Sequence, residues 1–148
     1  MASNTDQHAA LEQEIRSLQA YANEYSQQYD LLTQQLRFIE SARGEALASV
    51  ETLEAFSGLE EGVSTLLTLG GGVSVRATIT DMKKILVGIG AGITVEKTTE
   101  EAITFLHDRV TEMNASAKRL SESSGKLQEQ MRAVEQRMQE IYSQTQRR

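Results

Sequence analysis

Residues 63–97 read VSTLLTLGGGVSVRATITDMKKILVGIGAGITVEK, a β-rich and glycine-rich stretch between two long polar segments. Within it, residues 73–79 alternate apolar and polar side chains, which is typical of a strand with one buried face. Residues 63–69 have the composition of a second strand, and three consecutive glycines at 70–72 join the two. The stretch therefore begins with a predicted β-hairpin.

A second hairpin is predicted from residues 85–89 and 93–97, which the turn Gly-Ala-Gly at 90–92 connects. The polar residues 80–84 link the two hairpins. Isolated hairpins are marginally stable in water, and exposed apolar strands need to be covered. We therefore expect strands from several chains to assemble into a shared sheet or barrel. The apolar residues predicted to form that interface are Val73, Val75, Ile79, Ile85, Val87, Ile89, Ile93 and Val95.

Apolar residues recur at alternating intervals of three and four on both sides of the strands. The first series covers residues 11–53 and is interrupted by Arg43; the second covers residues 103–141 and is interrupted by Ser124. A period of 3.5 residues sustained over about six heptads marks a left-handed coiled coil. Each series therefore predicts one long helix.

The two series match when the helices run antiparallel. Paired layers then have residue numbers that sum to 156: Ile15 with Ile141, Leu18 with Met138, Leu36 with Leu120, and Leu53 with Ile103. The pattern fixes this register only modulo seven, so a slip of one heptad also satisfies it. The predicted fold class is α+β, a long antiparallel two-helix coiled coil joined by two β-hairpins that oligomerise. We predict a single domain over residues 1–148, with a first helix at about 6–58, hairpins at about 63–97 and a second helix at about 99–146.

Charge and composition exclude several classes of protein. The net charge is −6, and no segment is strongly basic, so we expect no nucleic-acid partner. The longest apolar stretch, residues 85–93, is about half of the roughly 20 residues that span a bilayer, so we expect no membrane segment. The first residues lack the basic and apolar regions of a signal peptide. The absence of cysteine fits a reducing compartment, and we expect a cytoplasmic protein.

No arrangement of residues predicts catalysis, a cofactor or a metal site. Glycines 88, 90 and 92 miss the GxGxxG spacing, and a strand follows them where a dinucleotide-binding motif needs a helix. A tight hairpin turn is the better interpretation. His8 and His107, the two histidines, are far apart in the sequence. Glu100 and Glu101 begin the second helix, where carboxylates favour the helix dipole.

The ends of the two helices away from the strands have a distinctive composition. All 13 glutamines fall within residues 7–35 or 128–146, which the antiparallel register places at the same end. Apolar and methionine side chains accompany them, and methionine suits adaptable apolar contacts. Two interpretations stay open: an ordinary coiled-coil seam with a solvated glutamine face, or a surface for varied apolar partners.

Two segments resemble the alpha type of the archaeal prefoldin family. They are STLLTLGGGVSVRATI, residues 64–79, and DMKKILVGIGAGITVEKTTEEAITFL, residues 81–106. The most specific part is LVGIGAGITVEK, residues 86–97, together with the helix start that follows it. The order helix, two hairpins, helix is the alpha-type plan, whereas the beta type has one hairpin. Thr68 departs from the pattern, because the resemblance leads us to expect proline there.

The resemblance implies a chaperone subunit and no enzymatic activity. It implies a heterohexamer of two alpha and four beta subunits, in which the hairpins form a double β-barrel and the coiled coils project from it. The assembly would hold non-native polypeptides between the tips and pass them to a group II chaperonin without nucleotide. The candidate client-binding residues at the tip are Leu11, Ile15, Leu18, Met138, Ile141 and Tyr142. The alternative is a structural coiled-coil adaptor that binds one specific folded partner.

Overall fold

The computed structural model describes residues 2–146, and it has two long helices with four strands between them. The elements are α1 (Ala2–Phe56), β1 (Val63–Gly70), β2 (Val73–Ile79), β3 (Ile85–Gly90), β4 (Ile93–Lys97) and α2 (Thr99–Gln146). The predicted fold class and element order are confirmed. The first helix begins before the predicted residue 6 and ends before the predicted residue 58. At its end, the Ser57 N–H donates to the Leu53 carbonyl at 3.1 Å, and Gly58 follows this last turn.

The chain forms two compact units. One consists of the residues up to Glu40 and those from Ala115 onward, and the other is Ser41–Asn114, which contains all four strands. The single domain predicted for residues 1–148 stays a prediction, and residues 1, 147 and 148 lie outside the described part of the chain.

In the first unit, the heptad positions are the ones that pack. The positions of both series that belong to this unit are half-buried or buried, including the interrupting Ser124. Gln128 Nε2 donates a hydrogen bond of 2.9 Å to the Tyr29 hydroxyl. The two residue numbers sum to 157, one more than the sum of a predicted layer. A slip of one heptad would change the layer sum by seven, so the contact fits the predicted register.

An ion pair also joins the two helices on the flank of the seam. Arg137 Nε donates to the Glu14 carboxylate at 2.7 Å, and Arg137 also reaches Glu140 at 3.2 Å. The hydrogen bond to Glu14, followed by that to Glu140, raises the pKa of the Arg137 guanidinium above its ordinary value. Since these side chains are solvent-exposed, they orient the helices more than they stabilise them.

In the second unit, the seam has a polar interruption that is satisfied. Ala46, Val50 and Val110 are buried at heptad positions, and Arg43 is half-buried among them. Arg43 donates a hydrogen bond of 3.1 Å to the Asn114 side-chain oxygen. The charged side chain of Arg43 is therefore tolerated at a seam position, because its guanidinium reaches the side-chain amide of Asn114 on the facing helix.

Both hairpins turn in the same way. The central residues Gly71 and Gly72 have φ of 59° and 79°, and Ala91 and Gly92 have φ of 50° and 74°. Positive φ at both central residues is what a type I′ hairpin requires. The strand register shifts just before each turn, between Thr68 and Gly70 in the first hairpin. The interpretation of the Gly-x-Gly spacing as a tight turn is confirmed.

Each hairpin is a separate two-stranded sheet, with β1 paired to β2 and β3 paired to β4. In the first sheet, Leu67 lies opposite Val75, and Thr65 lies opposite Ala77. Side chains at alternate positions share a face, so these residues form one largely apolar face. Thr68 continues β1 and lies opposite Ser74, so the expected proline is not needed for the hairpin to form.

The start of α2 is held by a capping box. The Thr98 N–H donates to the Glu101 carboxylate at 3.0 Å, and the Glu101 N–H donates to Thr98 Oγ1 at 3.2 Å. Next to it, buried Thr99 donates through Oγ1 to the Met82 carbonyl at 2.7 Å. Ala102 is fully buried on the following turn. These contacts fasten the segment between the two hairpins to the helix start.

Candidate interaction surfaces

The strands carry a concentration of exposed apolar side chains. Those that are at least 45% exposed are Leu66, Leu67, Leu69, Val73, Val75, Leu86, Ile89 and Ile93. Both sheets have only two strands, so the outer edges of all four strands lack a partner strand in the described residues. Apolar faces and open edges of this kind are what another chain covers in an assembly.

The eight residues predicted for the strand interface fall into three groups. Val73, Val75, Ile89 and Ile93 are exposed. Ile79, Ile85 and Val95 are half-buried, and Val87 is only 9% exposed. The structure therefore leaves half of the set free for a partner. Whether these residues form the interface stays a prediction.

Val87 is buried because β3 packs against the helices of its own unit. A groove of about 560 Å³ runs between them, and its lining includes Leu53, Ile85, Val87, Ala102 and Phe105. Apolar residues of α1, α2 and β3 thus line the same groove. The second hairpin contacts the helices through this part of β3, whereas Ile89 and Ile93, near its turn, are exposed.

Four exposed leucines were not among the predicted interface residues. Leu66 and Leu67 are adjacent in β1, so their side chains point to opposite faces of the sheet. Leu69 precedes the first turn, and Leu86 lies opposite Glu96 in the second sheet. Leu66 and Leu86 are apolar residues at positions where strict alternation expects a polar one, whereas Leu67 lies on the apolar face of the first sheet, opposite Val75.

At the helix ends, most of the predicted tip residues are buried or half-buried. Of the six predicted tip residues, Ile141 is fully buried. Leu11, Ile15, Leu18 and Met138 are half-buried, and Tyr142 is 47% exposed. The structure places five of these side chains in the seam and leaves Tyr142 outside it. Their contact with another molecule stays a prediction, and for all but Tyr142 it requires the seam to open.

The chemistry of the described residues favours contact surfaces over a reaction site. No group of three or more His, Cys, Asp and Glu side chains that could hold a metal ion occurs in the described part of the chain. His8 and His107 are both exposed, and they lie in different units. Among the described helices, none is both long and apolar enough to cross a membrane.

Comparison with known proteins identifies the family. A family model described as "Prefoldin subunit" matches residues 25–144. The chain belongs to the prefoldin family. The prefoldin subunit alpha of Methanocorpusculum labreanum is 86% identical over 148 residues, which cover all of both chains. The prefoldin subunit alpha of Methanoregula boonei is 44% identical over 131 residues, 88% of this chain and 85% of that one.

Solved prefoldin structures share the fold. A cryo-EM structure of filamentous PFD from Methanocaldococcus jannaschii has a TM-score of 0.68 and 21% identity, over 78% of this chain and 95% of that one. The crystal structure of the prefoldin beta subunit from Thermococcus strain KS-1 has a TM-score of 0.58 and 17% identity, over 85% of this chain and 90% of that one. At these identities the likeness establishes the arrangement of helices and hairpins.

The resemblance seen in the sequence is therefore confirmed. The chain is an alpha-type prefoldin subunit, and prefoldin is a non-enzymatic chaperone that delivers unfolded proteins to a chaperonin. An alpha subunit of prefoldin works in a complex with beta subunits.

Proposed function

We propose that this subunit assembles through its strands with beta subunits, as two alpha and four beta chains, and binds non-native polypeptides through the free ends of its coiled coil. In this proposal the complex acts in the cytoplasm, holds its client without ATP and passes it to a group II chaperonin. The proposal is supported by two observations: the hairpins have exposed apolar side chains, and the seam of the helix pair contains apolar side chains up to its free end.

Assembly is supported by the state of the strands. Val75 is 45% exposed and Leu67 is 53% exposed, although they lie opposite each other in the same face of the first sheet. Because these side chains are about half exposed, burying the rest of each one contributes less than the roughly 1.5–3 kcal/mol of a fully exposed side chain. Because each sheet has two unpaired edges, a neighbouring chain also gains backbone hydrogen bonds by pairing with it.

Client binding at the helix ends is supported by helix physics. The first and last turns of a helix lack part of their hydrogen bonds, so helix ends fray. Fraying would expose seam residues such as Leu11, Ile15 and Met138, each of which contributes at most about 1.5–3 kcal/mol on burial. One coiled coil would therefore hold a client weakly, and several tethered ones would hold it through effective concentration. Weak individual contacts suit a chaperone that must later release its client.

The proposal is tested by reconstitution. The purified chain, mixed with a beta-type prefoldin subunit, is expected to form one species with the mass of two alpha and four beta chains, measured by light scattering. Without any nucleotide, this complex is expected to suppress the thermal aggregation of two unrelated proteins, and added ATP is expected to change nothing.

Two outcomes would count against the proposal. A complex that forms but suppresses the aggregation of neither protein would indicate an adaptor for a specific folded partner. Suppression that needs ATP would place a nucleotide site in the complex, which the spacing of glycines 88, 90 and 92 does not predict.

A further inference from the structure

Two outward-facing apolar side chains on α1 have no role in the seam. Phe38 is 75% exposed, the largest exposed fraction among the described large apolar side chains, and Leu31 is 56% exposed. Both lie outside the heptad series, and they are seven residues apart. Residues seven apart in a helix share one face, so Leu31 and Phe38 form a pair and not two isolated exposures.

The pair is part of a shallow groove. The space is about 360 Å³, and it is lined by Leu31, Gln34, Gln35, Phe38, Ile39 and Leu120. Ile39 and Leu120 belong to the seam, and they extend the apolar surface from α1 to α2. We refer to these six residues as the lateral patch.

We propose that the lateral patch is a client-binding site, which takes up an apolar segment of a non-native polypeptide while the coiled-coil seam stays closed. The inference rests on the proposed function, and it adds a site that the helix ends do not provide. Five of the six tip candidates are half-buried or buried, whereas the lateral patch is open in the folded chain.

The chemistry of the lateral patch suits an unfolded chain. The described residues that line it include no charged side chain, so it does not select a partner by charge. Leu31 and Phe38 offer exposed apolar surface to the apolar side chains of such a chain. Gln34 and Gln35 carry amides that both donate and accept hydrogen bonds, which is what the unpaired backbone of an extended polypeptide requires.

The size of the lateral patch argues against a folded partner or a second copy of this chain. A stable interface between folded proteins engages about 20–30 residues on each side. Six residues around a groove of about 360 Å³ provide room for a few client side chains. Binding at one patch is therefore weak, and the several coiled coils of one complex would act together.

The test uses the reconstituted complex and a named probe. The probe is fluorescently labelled lactalbumin that has been reduced and carboxymethylated, which keeps it unfolded. The double variant Leu31→Gln with Phe38→Gln is expected to weaken its binding roughly tenfold, because two apolar contacts are lost. The matched control is Leu47→Gln, which changes an exposed apolar residue of the same helix in the other unit and is expected to bind like the unmodified complex.

Each outcome decides something different. If the unmodified complex binds the probe and the double variant binds it equally well, the lateral patch is not a client site. If the double variant forms a complex of lower mass, the patch is a subunit interface and the inference is overturned. If the unmodified complex itself does not bind the probe, the proposed function fails first. Circular dichroism of the double variant checks that its helices are intact.

Discussion

Val75→Asp is expected to split the assembled complex into smaller species. Val75 is 45% exposed on the apolar face of the first sheet, opposite Leu67. If a partner chain covers this face, the substitution places an unpaired carboxylate in the interface, which costs roughly 3–5 kcal/mol. That corresponds to an association weakened more than about a hundredfold. Sedimentation of the reconstituted complex at micromolar concentration measures the effect.

The neighbouring residue supplies a matched control. Ser74 is exposed, and its side chain points to the opposite, more polar face, where it lies opposite Thr68. Ser74→Asp introduces the same charge into the same strand, and the complex is expected to keep its mass. An unchanged mass for Val75→Asp as well would show that this face of the strands is not the interface.

Val87 is a poorer probe of assembly. From the sequence, Val87→Asp is expected to disrupt the complex in the same way as Val75→Asp. In the structure Val87 is 9% exposed and lines the groove between β3 and the helices of its own chain. An aspartate there would destabilise the subunit itself, so a loss of complex would not identify the interface.

Removing residues 1–15 and 139–148 together is expected to reduce the suppression of aggregation sharply and to leave the mass of the complex unchanged. The deletion removes Leu11, Ile15, Ile141 and Tyr142, and none of the strands. Tips that bind weakly depend on acting together, so losing the alpha tips lowers the affinity for a client steeply. The measurement is light scattering of a heated test protein, beside the mass of the truncated complex.

The unchanged mass serves as the internal control. A truncated complex of full mass that suppresses aggregation as well as the unmodified complex would show that the helix ends are not a client site. A truncated complex of lower mass would mean that the helix ends contribute to assembly, which contradicts the separation of the two tasks.

The hairpins and the coiled coil could be predicted closely from the sequence. Glycines at 70–72, 90 and 92 predict the turns, because residues with a side chain rarely adopt positive φ, and Ala91 with φ of 50° is the one non-glycine residue in the turns that does so. The heptad series predicts the buried stripe of both helices, including the register, since Tyr29 with Gln128 and Arg43 with Asn114 lie beside the expected layers. Local conformational preference and periodicity determine these features.

The exposure of individual residues could not be predicted in the same way. An alternating strand has an apolar face, but the sequence does not say whether that face packs on its own helices, as at Val87, or stays open, as at Val75. The lateral patch was missed because Leu31 and Phe38 fall outside the heptad series, and outward positions of a coiled coil are expected to be polar. These features depend on the tertiary packing of segments distant in sequence.

The central claim is that client binding belongs to the helices and assembly belongs to the strands. Hydrogen exchange of the reconstituted complex, with and without bound carboxymethylated lactalbumin, tests it most directly. Binding is expected to change the exchange of amides in residues 6–18 and 131–145, and near Phe38, while residues 63–97 keep the same protection in both states. A change confined to residues 63–97, with the helix ends unaffected, would contradict the claim.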